Sequence, residues 1–184
     1  MKKISEEIVV DNGWRKVYRT YYRDTHGEII DMLTYGNSQG DGNGAMIIAL
    51  TKEKKIILLK EFRYGPERYM FNFPAGSTDA NESSKETAIR ECLEETWYSG
   101  SYCIQIGSCI NNYYMRGNLH FYFMNEVEKS KDQNTHLGED ISLWEYTLEV
   151  FENMITNGTI ICSYTVHAYF LAKERTKNFT CFEF

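Results

Sequence analysis

An α/β fold is what this sequence predicts, and three observations carry the prediction. Runs rich in β-branched and aromatic residues recur between residues 14 and 73, separated by glycine, proline and charged turns. A capped helix with an acidic face then opens at Ser83. Three further strand-like runs and two amphipathic helices follow it.

Taken in order, residues 14–23 (WRKVYRTYYR) and 28–35 (EIIDMLTY) predict a hairpin that turns at His26-Gly27, where His26 is a turn residue. Residues 37–44 (NSQGDGNG) read as a flexible link. They lack the GxGxxG spacing and strand-to-helix setting of a phosphate-cradling loop. The link divides the chain into an N-terminal β subregion, 1–40, and a main domain, 41–184. In the main domain, 45–50 and 55–63 predict two apolar strands around the turn at 51–54. A short strand over 70–73 ends where Pro74-Ala75-Gly76 opens a loop.

The helix that follows has a readable start, because Ser83 and Glu86 have the spacing of a capping box. Ile89, Leu93 and Trp97 recur at i, i+4, i+8 and predict its buried stripe. Glu91, Glu94 and Glu95 share another face within one turn, where like charges repel. A hard cation such as Mg²⁺, which takes oxygen ligands, resolves that conflict. The alternative is a solvated acidic face, with Glu86, Arg90 and Glu94 forming a structural ladder.

Strands are predicted over 101–110, 119–126 and 141–146, with a loop at 111–117 and a polar loop at 129–136. A helix over 147–157 sets Leu148, Phe151 and Ile155 on one face and stops at Asn157-Gly158. A last helix over 163–173 turns Val166, Tyr169 and Phe170 inward, and His167 packs or caps.

At 184 residues the chain is long enough for one domain with a full core. A net charge of −6 gives no electrostatic case for nucleic acid or an anionic membrane as partner. The five cysteines form no CxxC pair, and reduced thiols of a cytoplasmic protein are expected. The start, MKKISEEIVV, has no apolar signal segment, and no run reaches transmembrane length.

The stretch Gly76, Glu82, Arg90-Glu91-Cys92, Glu94-Glu95, Trp97-Tyr98 resembles the Nudix box, G-x5-E-x7-R-E-U-x-E-E-x-G-U, with U a bulky aliphatic residue. Cys92 and Tyr98 stand at U positions, and Trp97 stands at the second glycine. A tryptophan cannot cheaply take a glycine-only conformation, so a rebuilt turn is expected there. The preceding LLKEFRYGPERYMFNFPAG is similar to the ADP-ribose pyrophosphatase branch, which shows Q-x-R-Y and then E-x-P-A-G. Arg63, Pro74, Ala75 and Gly76 match, whereas Glu61 replaces the glutamine and Asn72 the glutamate. The loop at 111–117 lacks that branch's Ser-Pro-Gly.

The resemblance, which covers roughly 45–175, implies a Nudix fold, an α/β/α sandwich around a mixed sheet, here with an N-terminal β-hairpin. It implies hydrolysis of a nucleoside diphosphate linked to another moiety, ADP-ribose or a related nucleotide sugar. Dinucleoside polyphosphates, oxidised nucleoside triphosphates and a non-catalytic nucleotide sensor are the alternatives. Mg²⁺ or Mn²⁺ would be held by Glu91, Glu94, Glu95 and the Ala75 carbonyl. Arg90 would orient the glutamates, with Glu82 behind it and Gly76 opening the box. Glu139 would be the general base, with Asp140 or a box glutamate as the alternative, and Glu94 and Arg90 would join it as catalytic residues; without the resemblance Glu139 and Asp140 are ordinary loop acids. Arg63 would bind a phosphate. In the loop that should overlook the site, Tyr113 and Tyr114 offer a stacking surface and Arg116 a phosphate contact. A homodimer is implied through strands of 14–35, which would otherwise expose Trp14, Tyr18, Tyr21 and Tyr22.

Overall fold

The computed structural model describes residues 1–37, 42–130 and 141–176. Two sheets organise them. Strands β1 (Lys2–Asp11), β2 (Arg15–Arg23) and β3 (Ile29–Asn37) form an antiparallel sheet in that order. Strands β4 (Gly44–Thr51), β5 (Lys55–Arg63), β6 (Arg68–Asn72), β7 (Ala75–Ser77), β8 (Tyr98–Ser99), β9 (Cys103–Ile110), β10 (Asn118–Lys129) and β11 (Ile141–Thr147) form the other. Its main path runs β11-β5-β4-β10-β8; β6 pairs β5, β7 pairs β4 and β9 pairs β10. The β4–β10 pair is parallel and its neighbours are antiparallel, so the sheet is mixed.

Every residue of β4 is buried, which is why its sequence is an unbroken apolar run with no alternation. Helix α1 (Ser84–Thr96) lies on one face, where Ala45, Ile47, Ala49 and Ile57 meet Ala88 and Cys92. Helices α2 (Leu148–Thr156) and α3 (Ser163–Thr176) cover the other, where Met46, Ile48, Leu50, Phe73 and Phe121 meet Phe151, Met154 and Tyr169. The result is an α/β/α sandwich.

Several local expectations are corrected. The buried side of α1 is Thr87, Ala88, Cys92 and Thr96, one residue away from the predicted stripe; Leu93 is exposed and Ile89 only partly covered. Small side chains let the helix lie close on the alanines of β4. In α3, Ala168, Tyr169 and Ala172 are buried while Phe170 is exposed. Strand β1 was not predicted at all: every one of its residues is exposed, so no burial period marks it. His167 packs edge-on against Phe121 at 5.1 Å. Cys92, Cys103, Cys109 and Cys162 are free thiols, and among the described residues no helix is long and apolar enough to cross a membrane.

The loop at 111–117 joins the two sheets. Tyr35 donates its backbone N–H to Tyr114 O at 2.9 Å, and Arg116 returns one to Tyr35 O at 2.8 Å. The Arg116 side chain crosses to the small sheet, where its guanidinium stacks on Tyr18 at 3.6 Å, donates to Thr34 Oγ1 at 3.1 Å and ion-pairs with Glu6. Beside it the backbones of 42 and 117 almost touch: a Cβ on Gly117, at φ +87°, would lie 2.1 Å from Gly42 O.

This junction sets a pH dependence. Arg116, then Lys3 and Thr20, hold the Glu6 carboxyl down at about 2 from an ordinary 4.5. Its folded value is depressed, so its contribution is complete above 4.5 and is lost as pH falls towards 2. Amide protection in β1–β3 should therefore drop over that window while β4 and β10 remain protected, and Glu6→Gln should remove the step. Equal, pH-independent protection in both sheets would refute this role for Glu6 and Arg116.

Candidate active site

Two neighbouring pieces of chain build the site. Phe73 and Pro74 are buried, and Pro74 O accepts from Ile47 N at 2.9 Å. That anchors β7, whose Ala75 and Gly76 pair with Met46 and Ala45 of β4. Helix α1 starts as predicted: Ser83 Oγ accepts from Glu86 N at 3.3 Å and the Glu86 carboxylate accepts from Ser83 N at 2.8 Å. Glu86 is thus spent on the cap. Of the expected ladder, the Arg90–Glu94 rung forms, at 3.1 Å.

Arg90 is the hub. Its Nε and Nη2 donate to the two oxygens of Glu82 at 2.9 and 3.0 Å, a bidentate fork. Its Nη1 reaches Glu91 at 2.8 Å and Glu94 at 3.1 Å. Glu82 also accepts from Thr87 Oγ1 and from Asp79 N, and with Arg90 foremost these hold its carboxyl at about 2. The surrounding carboxylates push the Arg90 guanidinium up, Glu82 first among them. Burial pushes the Glu91 carboxyl up, and Arg90 opposes that shift.

Glu91 lies directly over Gly76, where a Cβ would sit 1.8 Å from Glu91 Oε1. The glycine is therefore a steric requirement: any side chain at 76 would expel the carboxylate. Glu95 Oε2 accepts from Ala75 N at 3.0 Å, tying the third box carboxylate to the turn. Among the described residues no three acidic, histidine or cysteine side chains converge on one point as a ready metal site, since Arg90 and the Ala75 N–H engage the carboxylates. The donor set nevertheless fits a hard divalent cation. It consists of carboxylate oxygens from one helical turn above a turn with no side chain at 76.

The remaining predicted residues are placed as follows. Arg63 ion-pairs with Glu61, which also accepts from Asn72 Nδ2 at 3.1 Å. Tyr113 is 96% exposed and Tyr114 54%. Arg116 faces Glu6 in the small sheet, so a phosphate would have to displace that carboxylate. Glu139 and Asp140 lie outside the described residues. The Asn72–Glu61 contact was missed by sequence reasoning; its signal is the paired departure from Q-x-R-Y and E-x-P-A-G.

The expectation of a rebuilt turn at Trp97 is overturned. Trp97 caps α1 in the left-handed conformation, φ 60° and ψ 16°, and donates to Leu93 O at 2.9 Å. The helix end therefore has the shape a glycine would give it. Cys92 and Tyr98 are both buried, filling the bulky aliphatic positions of the box.

The NUDIX domain family model matches residues 41–159, and the chain belongs to the Nudix family. It is 29% identical over 132 residues to an ADP-ribose pyrophosphatase of Bacillus subtilis (strain 168), covering 70% of this chain and 71% of that one. It is 32% identical over 103 residues to an ADP-sugar pyrophosphatase of Mus musculus, covering 52% of this chain and about half, 47%, of the mouse protein. A solved structure described as an ADP compounds hydrolase superposes with a TM-score of 0.78 at 19% identity, covering 97% of this chain and 96% of that chain. This last likeness shows the fold.

Proposed function

We propose that the chain hydrolyses ADP-ribose or a related nucleotide sugar in the presence of Mg²⁺ or Mn²⁺, releasing a nucleoside monophosphate and a phosphorylated sugar. The observation that carries this reading is the Arg90-centred carboxylate cluster set over the Ala75-Gly76 turn. The likeness to the bacterial ADP-ribose pyrophosphatase and the mouse ADP-sugar pyrophosphatase supports the substrate class.

Glu91, Glu94, Glu95 and the Ala75 carbonyl would hold the cation, whose chemistry is to polarise phosphoryl oxygens and lower the pKa of a bound water. Arg90 fixes the Glu91 and Glu94 rotamers from one side, and Glu82 fixes Arg90. Water attacks one phosphorus of the P–O–P bridge, and the bridging oxygen departs with the other phosphate. Glu139, with Asp140 as the alternative, takes the proton of that water, a role worth about 10²–10⁴ in rate. Arg63 pairs with a substrate phosphate. Tyr113 and Tyr114 offer rings for a base, and Arg116 a second phosphate contact if Glu6 releases it.

A panel of ADP-ribose, other nucleotide sugars, dinucleoside polyphosphates and oxidised nucleoside triphosphates, assayed with Mg²⁺, tests the reading. ADP-ribose should have the highest kcat/KM, and Tyr113→Ala with Tyr114→Ala should raise its KM. A dinucleoside polyphosphate or triphosphate at the top of the panel would overturn the substrate, and a panel without turnover would leave a nucleotide sensor. We read the chain as a homodimer that uses the small sheet, where Ile8, Val10, Trp14, Ile30 and Met32 are exposed; Tyr18, Tyr21 and Tyr22, expected to be exposed, are instead partly covered within the chain. A monodisperse monomer at micromolar concentration would overturn that.

A further inference from the structure

Strands β5 and β6 pair antiparallel with Leu59 opposite Asn72 and Glu61 opposite Met70. Residues 57, 59, 61 and 63 alternate onto one face of the sheet, and Ile57 on that face packs with Ala88 and Cys92 of α1. Asn72, Glu61 and Arg63 thus share the face that carries the box helix. Glu61 and Asn72 are diagonal neighbours, within reach of one another as long polar side chains.

Their contacts form a chain from core to surface. Asn72 is 2% exposed, and its Nδ2 donates to Glu61 Oε1 at 3.1 Å and to Met70 O at 3.4 Å. The same Glu61 oxygen ion-pairs with Arg63 Nη2. The Glu61 side chain is 13% exposed and that of Arg63 is 43%. A carboxylate so covered is tolerable only with partners on its oxygens, and here a buried amide and a guanidinium supply them. Arg63 is held by one nitrogen and keeps other N–H donors for a ligand.

The diagonal sets one acid beside one amide. Two acids would repel, and two amides would leave Arg63 without a counter-charge. We infer that Glu61 and Asn72 are a reciprocal positioning pair whose task is to hold Arg63 ready for a substrate phosphate. This rests on the phosphate-binding role proposed for Arg63. Ordering a long side chain in advance removes an entropic cost that binding would otherwise carry, so the pair acts on KM more than on kcat.

The test is a cycle of Glu61→Gln, Asn72→Glu and the double variant, read by thermal unfolding and by kinetics on the best substrate of the panel. Asn72→Glu alone should lower Tm, because it sets two carboxylates side by side under cover. Glu61→Gln alone should raise KM about tenfold and leave kcat within about threefold, the loss of one charged hydrogen bond. The double variant should recover most of both losses. Strictly additive effects on Tm and KM would overturn the pairing, and the Tm arm needs no substrate. Arg63→Ala separates the two readings. A KM raised as in Glu61→Gln supports positioning, whereas an unchanged KM beside an intact Tm coupling removes the phosphate contact and the positioning role with it.

Discussion

Glu94→Gln and Glu95→Gln should each lower kcat by about a thousandfold or more, because several kcal/mol of transition-state charge stabilisation depend on the box carboxylates. Glutamine keeps the length and one acceptor oxygen but loses the charge. The fold should survive. Glu95 reaches the Ala75 N–H at 3.0 Å, a bond that a glutamine oxygen can still accept, and Glu94 is a partly exposed rung to Arg90. Removing one of three clustered negative charges also relieves repulsion within a turn, so Tm should hold or rise slightly. Steady-state kinetics with Mg²⁺ beside a thermal melt checks both halves. Wild-type turnover in both variants would move the chemistry away from α1.

The second large effect is expected at Arg90. Replacing it with methionine keeps the stem and removes the guanidinium that touches Glu82, Glu91 and Glu94. Glu82 and Glu91 have side chains only 16% and 14% exposed, so their charges lose a partner where water replaces it poorly. The Arg90 side chain itself is 29% exposed, which softens the penalty to about 2–3 kcal/mol. For a domain of this size that is a fall in Tm of about 5–10 °C. Activity should fall as well, because the Glu91 and Glu94 rotamers lose their common anchor. A melt within a degree of wild type, with unchanged kcat, would show that the glutamates hold their places unaided.

The box helix and the strands around it were legible because their signals are local. A serine and a glutamate three apart make a cap, and a run of buried apolar residues makes a central strand. The rotation of α1 was not legible. Ile89 and Leu93 are the larger hydrophobes, yet the sheet beneath is lined by Ala45 and Ala49, and only the Ala88–Cys92 side fits close against it. Strand β1 escaped for the opposite reason: with every residue exposed, it is held by pairing with β2, which leaves no periodic trace. Arg116 shows a further limit. An arginine beside two tyrosines suggests a ligand contact, but its partner Glu6 lies 110 positions away in the chain, and no spacing rule reaches that far.

Trp97 bears on how tightly a motif constrains its own members. The second glycine of the box stands for a torsion, and here a bulky residue supplies the same torsion. Left-handed backbone costs a non-glycine residue about 1–2 kcal/mol, and the half-buried indole has its Nε1 enclosed with no partner among the described residues. Tryptophan fills this corner under strain, where glycine would relax the torsion and leave the space hollow, so the motif position specifies a backbone shape before it specifies a residue.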